Sequence, residues 1–184
     1  DYASEFRYRN PILLKDTLVV IISQSGETAD TLAALRLAKE QGLDTLALVN
    51  VAGSTIARDA GYVLHTYAGP EISVASTKAF SVQLGLLYLL CLAFARENGC
   101  MDTSALKTMT AALLVAVEQT TDVIEQQSDL LRELAPRFRD TGSLFYMGRG
   151  LDHALAMEGS LKLKEISYIH SEAYAAGELK HGTI

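Results

Sequence analysis

The sequence predicts an α/β fold, a three-layer αβα sandwich built on a parallel sheet. Three observations carry this. Apolar runs alternate with helical patterns at the spacing of repeated β-α-β units. The first run, Leu18-Val19-Val20-Ile21-Ile22, is apolar at every position, as a strand covered on both faces requires. Polar, hydroxyl-rich loops lead into helices, and parallel sheets place ligands where strands end and helices begin.

The elements follow in order. After the Leu18–Ile22 strand and a polar loop, Ala29–Gln41 has helical periodicity, with Leu32, Leu35 and Ala38 on one stripe. Gly42 stands where a helix-ending glycine belongs. Thr45–Val49 is a second buried strand, Thr55–Ala60 a short helix and Tyr62–Thr66 a third strand. Ala68-Gly69-Pro70-Glu71 is a turn, and a long helix runs from about Ser76 to Asn98. Its apolar stretch, Ala79–Ala95, falls short of the roughly 20 residues of a membrane span, so burial at a core or subunit interface is expected. Met101–Arg139 has helical character without a strand, and Pro136 suggests a break between two helices. Ser143–Met147 resumes strand character, and Leu151–Ile169 is a helix.

Composition narrows the function classes. Hydrophobic residues are 49% of the 184 and charged residues 21%, a globular balance. Lys plus Arg is 16 and Asp plus Glu is 22, and no basic run stands out, so neither nucleic acid nor an anionic membrane is an expected partner. Cys91 and Cys100 match no zinc pattern and no redox C-x-x-C, and read as structural thiols of a reducing, cytoplasmic compartment. No metal or cofactor is expected. The first residues, Asp1-Tyr2-Ala3-Ser4-Glu5, include no Met and no signal peptide, and the expectation is a stretch of a longer protein.

Five places could carry chemistry. Ser23-Gln24-Ser25-Gly26-Glu27-Thr28 offers three hydroxyls, an amide and a glycine at a helix N-terminus, where backbone N–H groups lack partners. That set can cradle an anion without a lysine; it can also be a capping motif, with Ser25 or Thr28 as N-cap. Ser73-Val74-Ala75-Ser76-Thr77-Lys78 repeats the theme at the start of the long helix, and capping alone would also explain it. Gly148-Arg149-Gly150 lacks the third glycine of a dinucleotide fingerprint, because His153 stands there, and reads as a turn. Glu158, Lys162 and Glu165 share one helix face, either as an ordinary surface ion pair or as a carboxylate for proton transfer beside an ammonium that stabilises an oxyanion. Gly159, inside that helix, costs roughly 1 kcal/mol against Ala and implies the close approach of something. His181, in Gly177-Glu178-Leu179-Lys180-His181-Gly182, lies in a glycine-flanked loop and could act as an acid or base near neutral pH.

The strings S-Q-S-G-E-T-A-D-T-L, V-A-S-T-K-A-F, L-K-L-K-E-I-S-Y-I-H-S-E-A-Y and A-A-G-E-L-K-H-G resemble the isomerase domain of glutamine-hydrolysing glucosamine-6-phosphate synthases. That domain holds two sugar isomerase (SIS) folds. The resemblance implies an aminotransferring ketose–aldose isomerisation of fructose 6-phosphate to glucosamine 6-phosphate, with ammonia from an upstream glutaminase domain. It implies that Ser23, Gln24, Ser25 and Thr28 hold the sugar phosphate and that Val74 and Ser76 contact the sugar. Glu165 would shuttle the proton, Lys162 would assist near the sugar oxygens, and His181 would open the ring from the partner subunit of a homodimer. The rivals are a SIS module that binds a phosphosugar without turnover and a phosphosugar isomerase that works without glutamine.

The resemblance also sets the organisation. Residues 1–100 are a first SIS unit without its first strand and helix, 101–142 a helical linker, and 143–184 the start of a second unit. The family's Gly-Thr-Ser turn ahead of Asp1 and its C-terminal lysine are not in the sequence. A faint repeat pairs Ala3-Ser4-Glu5-Phe6-Arg7-Tyr8 with His170-Ser171-Glu172-Ala173-Tyr174. From it follows one arrangement in which strand Ser143–Met147 lies beside Val19–Ile22 in a single sheet, filling the first unit's vacant position. The alternative places the two strands in separate sheets.

Overall fold

The structure is a computed structural model and describes residues 1–76 and 78–182. The chain divides into two compact units, residues 1–107 and 108–184, and each is described by itself.

The first unit opens with one helical turn, α1 (Ala3–Phe6), and is built on a parallel sheet of β1 (Leu18–Ser23), β2 (Asp44–Val49) and β3 (Tyr62–His65) in that spatial order. Leu18 pairs with Asp44, Ser23 with Val49 and Leu46 with Tyr62. All three strands run the same way, so their C-terminal ends share one edge. The crossovers are α2 (Ala29–Glu40) and the short α3 (Thr55–Asp59). β2 is the centre, with Thr45 to Val49 buried at every position, as its apolar run predicts. Ile21, Ala47 and Val49 meet Ala34 and Leu35 of α2 and Ile56 of α3 on one face. Leu35 and Ile56 are wholly buried, and each such side chain stabilises by about 1.5–3 kcal/mol.

α2 ends as its sequence dictates. Gly42 takes φ +72° just past the helix, the Gly42 N–H donates to Lys39 O at 2.9 Å, and the Leu43 N–H donates to Ala38 O at 3.1 Å. That pair of bonds closes the last turn in a Schellman motif. α3 starts on Ser54, whose Oγ accepts from the Ala57 N–H at 3.4 Å.

The long helix α4 spans Lys78–Glu97 and buries only Ala79 and Leu92. The expectation of a buried helix is therefore not met in the single chain. By length and composition alone α4 would pass as a membrane span, with a mean hydropathy of 1.7. The expected pair of helices over Met101–Arg139 is instead one helix, α5 (Thr103–Leu134), followed by a 3-10 turn at Ala135–Phe138. The physical reason is local. No Gly or Pro interrupts residues 103–134, and Pro136 falls past the end, in the 3-10 turn.

The second unit contains β4 (Ser143–Gly148), α6 (Leu151–Ser167) and β5 (His170–Ala175). β4 and β5 pair in parallel, from Ser143 with His170 to Gly148 with Ala175, in a sheet separate from β1–β3. The single-sheet arrangement is thus wrong. β4 finds its neighbour in β5, a strand the sequence conceals because His170, Ser171 and Glu172 read as polar loop. α6 stops at Tyr168, which turns to φ +60° while its N–H donates to Lys164 O at 3.1 Å.

The faint internal repeat does not hold in the register read from the sequence. The Glu5 N–H donates to Tyr2 O and the Tyr8 N–H to Glu5 O; the Glu178 N–H donates to Ala175 O and the His181 N–H to Glu178 O. Two bonds of this kind, each spanning three residues, recur when Ala3–Tyr8 is set against Ala176–His181. The pairing of Ala3–Tyr8 with His170–Tyr174 matches a helical turn to a strand, and is corrected.

Candidate functional site

The first candidate cluster forms at the shared strand edge of the first unit. β1 ends on buried Ser23, and the chain turns through Gly26 (φ +68°) into α2. The Ser23 Oγ accepts from the Gly26 N–H at 3.0 Å and lies 3.4 Å from Thr28 Oγ1. The Ser25 Oγ accepts from the Glu27 N–H at 3.2 Å. Thr28 occupies the N-cap of α2, yet its side chain makes no cap bond. Neither hydroxyl offered for capping, Ser25 or Thr28, caps α2. The first N–H groups of α2 therefore receive no side-chain cap, and the Thr28 hydroxyl turns to Ser23 instead.

A scaffold behind this loop fixes its backbone. The Ile56 N–H donates to Gly26 O at 3.0 Å, and Glu27 turns away from α2 to accept from the Thr55 N–H at 2.7 Å. That bond, the largest cause, holds the Glu27 carboxyl below its usual value. A Cβ on Gly26 would sit 2.0 Å from Ser54 Oγ and 2.5 Å from Ser54 Cβ, so the loop requires glycine both for its φ and for this approach. Gln24 is half-buried, and its carbonyl accepts from the Asn50 N–H at 3.2 Å.

The second cluster, before α4, is more engaged. The Ser76 Oγ accepts from the Ala79 N–H at 3.2 Å and donates to Glu71 Oε2 at 2.7 Å. Glu71 also accepts from the Ser73 N–H at 3.3 Å, and the Ser76 bond, its largest influence, lowers its pKa. Capping thus explains part of this loop. Val74 is 99% exposed and touches nothing that fixes it. Thr77 lies outside the described residues.

In the second unit Lys162 sits between two carboxylates of α6. Its Nζ lies 2.7 Å from Glu165 Oε2 and 3.6 Å from Glu158 Oε1. The three side chains are 23–32% exposed, less open than the surface pairs Arg132–Asp129 and Arg137–Glu133 of the same unit. The Glu165 hydrogen bond outweighs partial burial and raises the Lys162 pKa above 10.5, so the ammonium persists across physiological pH. The odd glycine is explained: a Cβ on Gly159 would lie 3.0 Å from Tyr146 Cε1 of β4, so the glycine lets α6 close on the sheet. One residue further on, buried Ser160 and Ser171 join α6 to β5. Their hydroxyls are 2.9 Å apart, and the Ser171 hydroxyl also donates to Ser160 O at 2.8 Å. His181 is exposed in the turns after β5.

Each unit therefore gathers its own predicted residues: Ser23, Ser25 and Thr28 in one, Lys162 and Glu165 in the other. Sequence reading missed Asn50 and Glu71. A signal for Asn50 was present, since it directly follows the buried run of β2 as Ser23 ends β1. Among the described residues no group of His, Cys, Asp and Glu could hold a metal.

Comparisons with known proteins agree with this architecture. Along all 184 residues the chain is 55% identical to a glutamine–fructose-6-phosphate aminotransferase (isomerizing) of Clostridium tetani and 52% to that of Caldanaerobacter subterraneus. It spans about 30% of the length of these curated relatives. Among solved structures, the C-terminal domain of glucosamine-fructose-6-phosphate aminotransferase from Francisella tularensis superimposes with a TM-score of 0.93 at 41% identity. The match covers 98% of this chain and 51% of that one. The resemblance read from the motifs is thus borne out, as is the α/β fold with parallel sheets. The SIS domain model matches residues 1–93 and 137–184, and the chain belongs to the SIS domain family.

Proposed function

We propose that this chain is the sugar-isomerising part of a glutamine-dependent aminotransferase that makes glucosamine 6-phosphate from fructose 6-phosphate. Ser23, Gln24, Ser25 and Thr28 hold the sugar phosphate, using hydroxyls and the free N–H groups at the start of α2. Val74 and Ser76 contact the sugar. Glu165 carries a proton between carbons 1 and 2, and the Lys162 ammonium stabilises the oxyanion that develops beside it. His181, supplied across a homodimer, opens the ring. Ammonia comes from a glutaminase domain upstream, in a cytoplasmic protein.

The single observation that carries this reading is the close Lys162–Glu165 pair, 2.7 Å apart with side chains 24% and 32% exposed. A SIS module that only binds phosphosugar needs the hydroxyl cradle but has no use for a carboxylate held against an ammonium. Similarity to aminotransferases along the whole chain supports the reading further. The test is Glu165→Gln in the full-length protein. Isomerisation falls by about 10²–10⁴-fold, the usual worth of a positioned acid–base group, while glutamine hydrolysis continues. A variant that converts fructose 6-phosphate at the wild-type rate overturns the assignment.

A further inference from the structure

We propose that Asn50 is a positioning residue that sets the sugar-contacting loop against the phosphate cradle. The inference rests on the reading that Ser23–Thr28 holds a phosphate. Asn50 follows β2, between the ends of β1 and β3, and binds in both directions. Its N–H donates to Gln24 O in the cradle at 3.2 Å. Its side chain faces the other way. Oδ1 accepts from the Ala68 N–H at 2.8 Å and from the Thr66 hydroxyl at 3.1 Å, and Nδ2 donates to Gly69 O at 2.7 Å.

The loop it grips begins with backbone in the left-handed region. Tyr67 has φ +52° and Gly69 φ +72°, two left-handed residues close together, and an aromatic residue in that region is strained. Tyr67 is 86% exposed and its ring meets that of His65 at 5.9 Å between centroids, so little packing holds it there. The three side-chain bonds of Asn50 do. Downstream, the Lys78 ammonium donates to Pro70 O at 2.6 Å, and Glu71 ties Ser76 and Ser73. The segment carrying Val74 and Ser76 is therefore fastened at one end by Asn50 and at the other by Glu71 and Lys78. Only an amide does what Asn50 does: one oxygen accepts two bonds while one nitrogen donates to a carbonyl. An aspartate keeps the acceptor but turns a carboxylate oxygen toward Gly69 O.

The test is Asn50→Asp in the full-length protein, with two measurements: KM for fructose 6-phosphate and the inhibition constant of inorganic phosphate against it. KM rises at least fivefold, while the phosphate constant stays within twofold, because the cradle bond uses the backbone N–H. That unchanged constant also shows that the variant folds. An unchanged KM overturns the inference, and so does a parallel rise of both values, which makes Asn50 a support of the cradle alone. The underlying reading fails separately: it falls if inorganic phosphate does not compete with substrate in the wild-type protein.

Discussion

Two strand-to-helix turns each follow a strand of a parallel sheet, and they are built for different ends. The turn from β1 to α2 is wide and holds hydroxyls: Ser23, Ser25 and Thr28 stand around Gly26, and no side chain caps the helix. The turn from β4 to α6 is Gly148-Arg149-Gly150, with no hydroxyl, and it closes backbone on backbone. A Cβ on Gly148 would lie 2.4 Å from the carbonyl carbon of Asp152 and 2.5 Å from the His153 nitrogen. In the first unit the helix start is open to a ligand. In the second, Gly148 lies against the first turn of α6, and the candidate chemistry stands two to four turns along the helix, at Glu158, Lys162 and Glu165. Position in a parallel sheet marks where a site can form; the side chains decide whether one does.

The comparison can be broken most severely at Gly148. A methyl there meets backbone atoms that cannot swing aside, so Gly148→Ala lowers unfolding stability by about 3 kcal/mol, the upper end for overpacking. Urea denaturation of the full-length protein measures it, and a change below about 0.5 kcal/mol removes the packing role of this turn. Ser25→Ala acts oppositely. It leaves stability within about 0.5 kcal/mol and weakens phosphosugar binding by about 1–2 kcal/mol, the cost of a missing partner to a charged acceptor. Calorimetric titration checks it. If stability falls and binding does not, the first turn is a structural one like the second.

A pH series separates the units further. Glu27 and Glu71 of the first unit have carboxyls held below the ordinary 4.5. Their contribution is present above pH 4.5 and is lost as pH falls through their lowered folded values. Lys162 has the opposite sign: its raised pKa gives stability below 10.5 that disappears only as pH rises through the folded value. Glu27→Gln and Glu71→Gln together should blunt the acid limb of a melting curve and leave the alkaline limb alone. Lys162→Met should blunt the alkaline limb only. An acid limb identical in the double variant contradicts the assignment.

How much of this was legible in the sequence follows from where the information lies. β1, β2, α2 and its Gly42 stop are written locally, in apolar runs and turn chemistry, and they appear where expected. So does the grouping of Glu158, Lys162 and Glu165, because helical spacing alone sets it. β5 was hidden because its pairing with β4, rather than its own composition, makes it a strand. The repeat was misread for the same reason: letters at Ser4-Glu5 and Ser171-Glu172 coincide, but the first pair lies in a helical turn and the second in a strand. Asn50 was overlooked because its partners, 16 to 19 residues away, come close only in the folded sheet.

The central claim is that the hydroxyls at the start of α2 form a phosphate site. Titrating glucosamine 6-phosphate and then glucosamine into the full-length protein tests it most directly. The two ligands differ only by the phosphate, so the account predicts that the first binds at least tenfold more tightly, a difference of about 1.4 kcal/mol or more. Ser25→Ala should narrow the gap from the phosphate side alone. Equal affinity for both sugars would contradict the account.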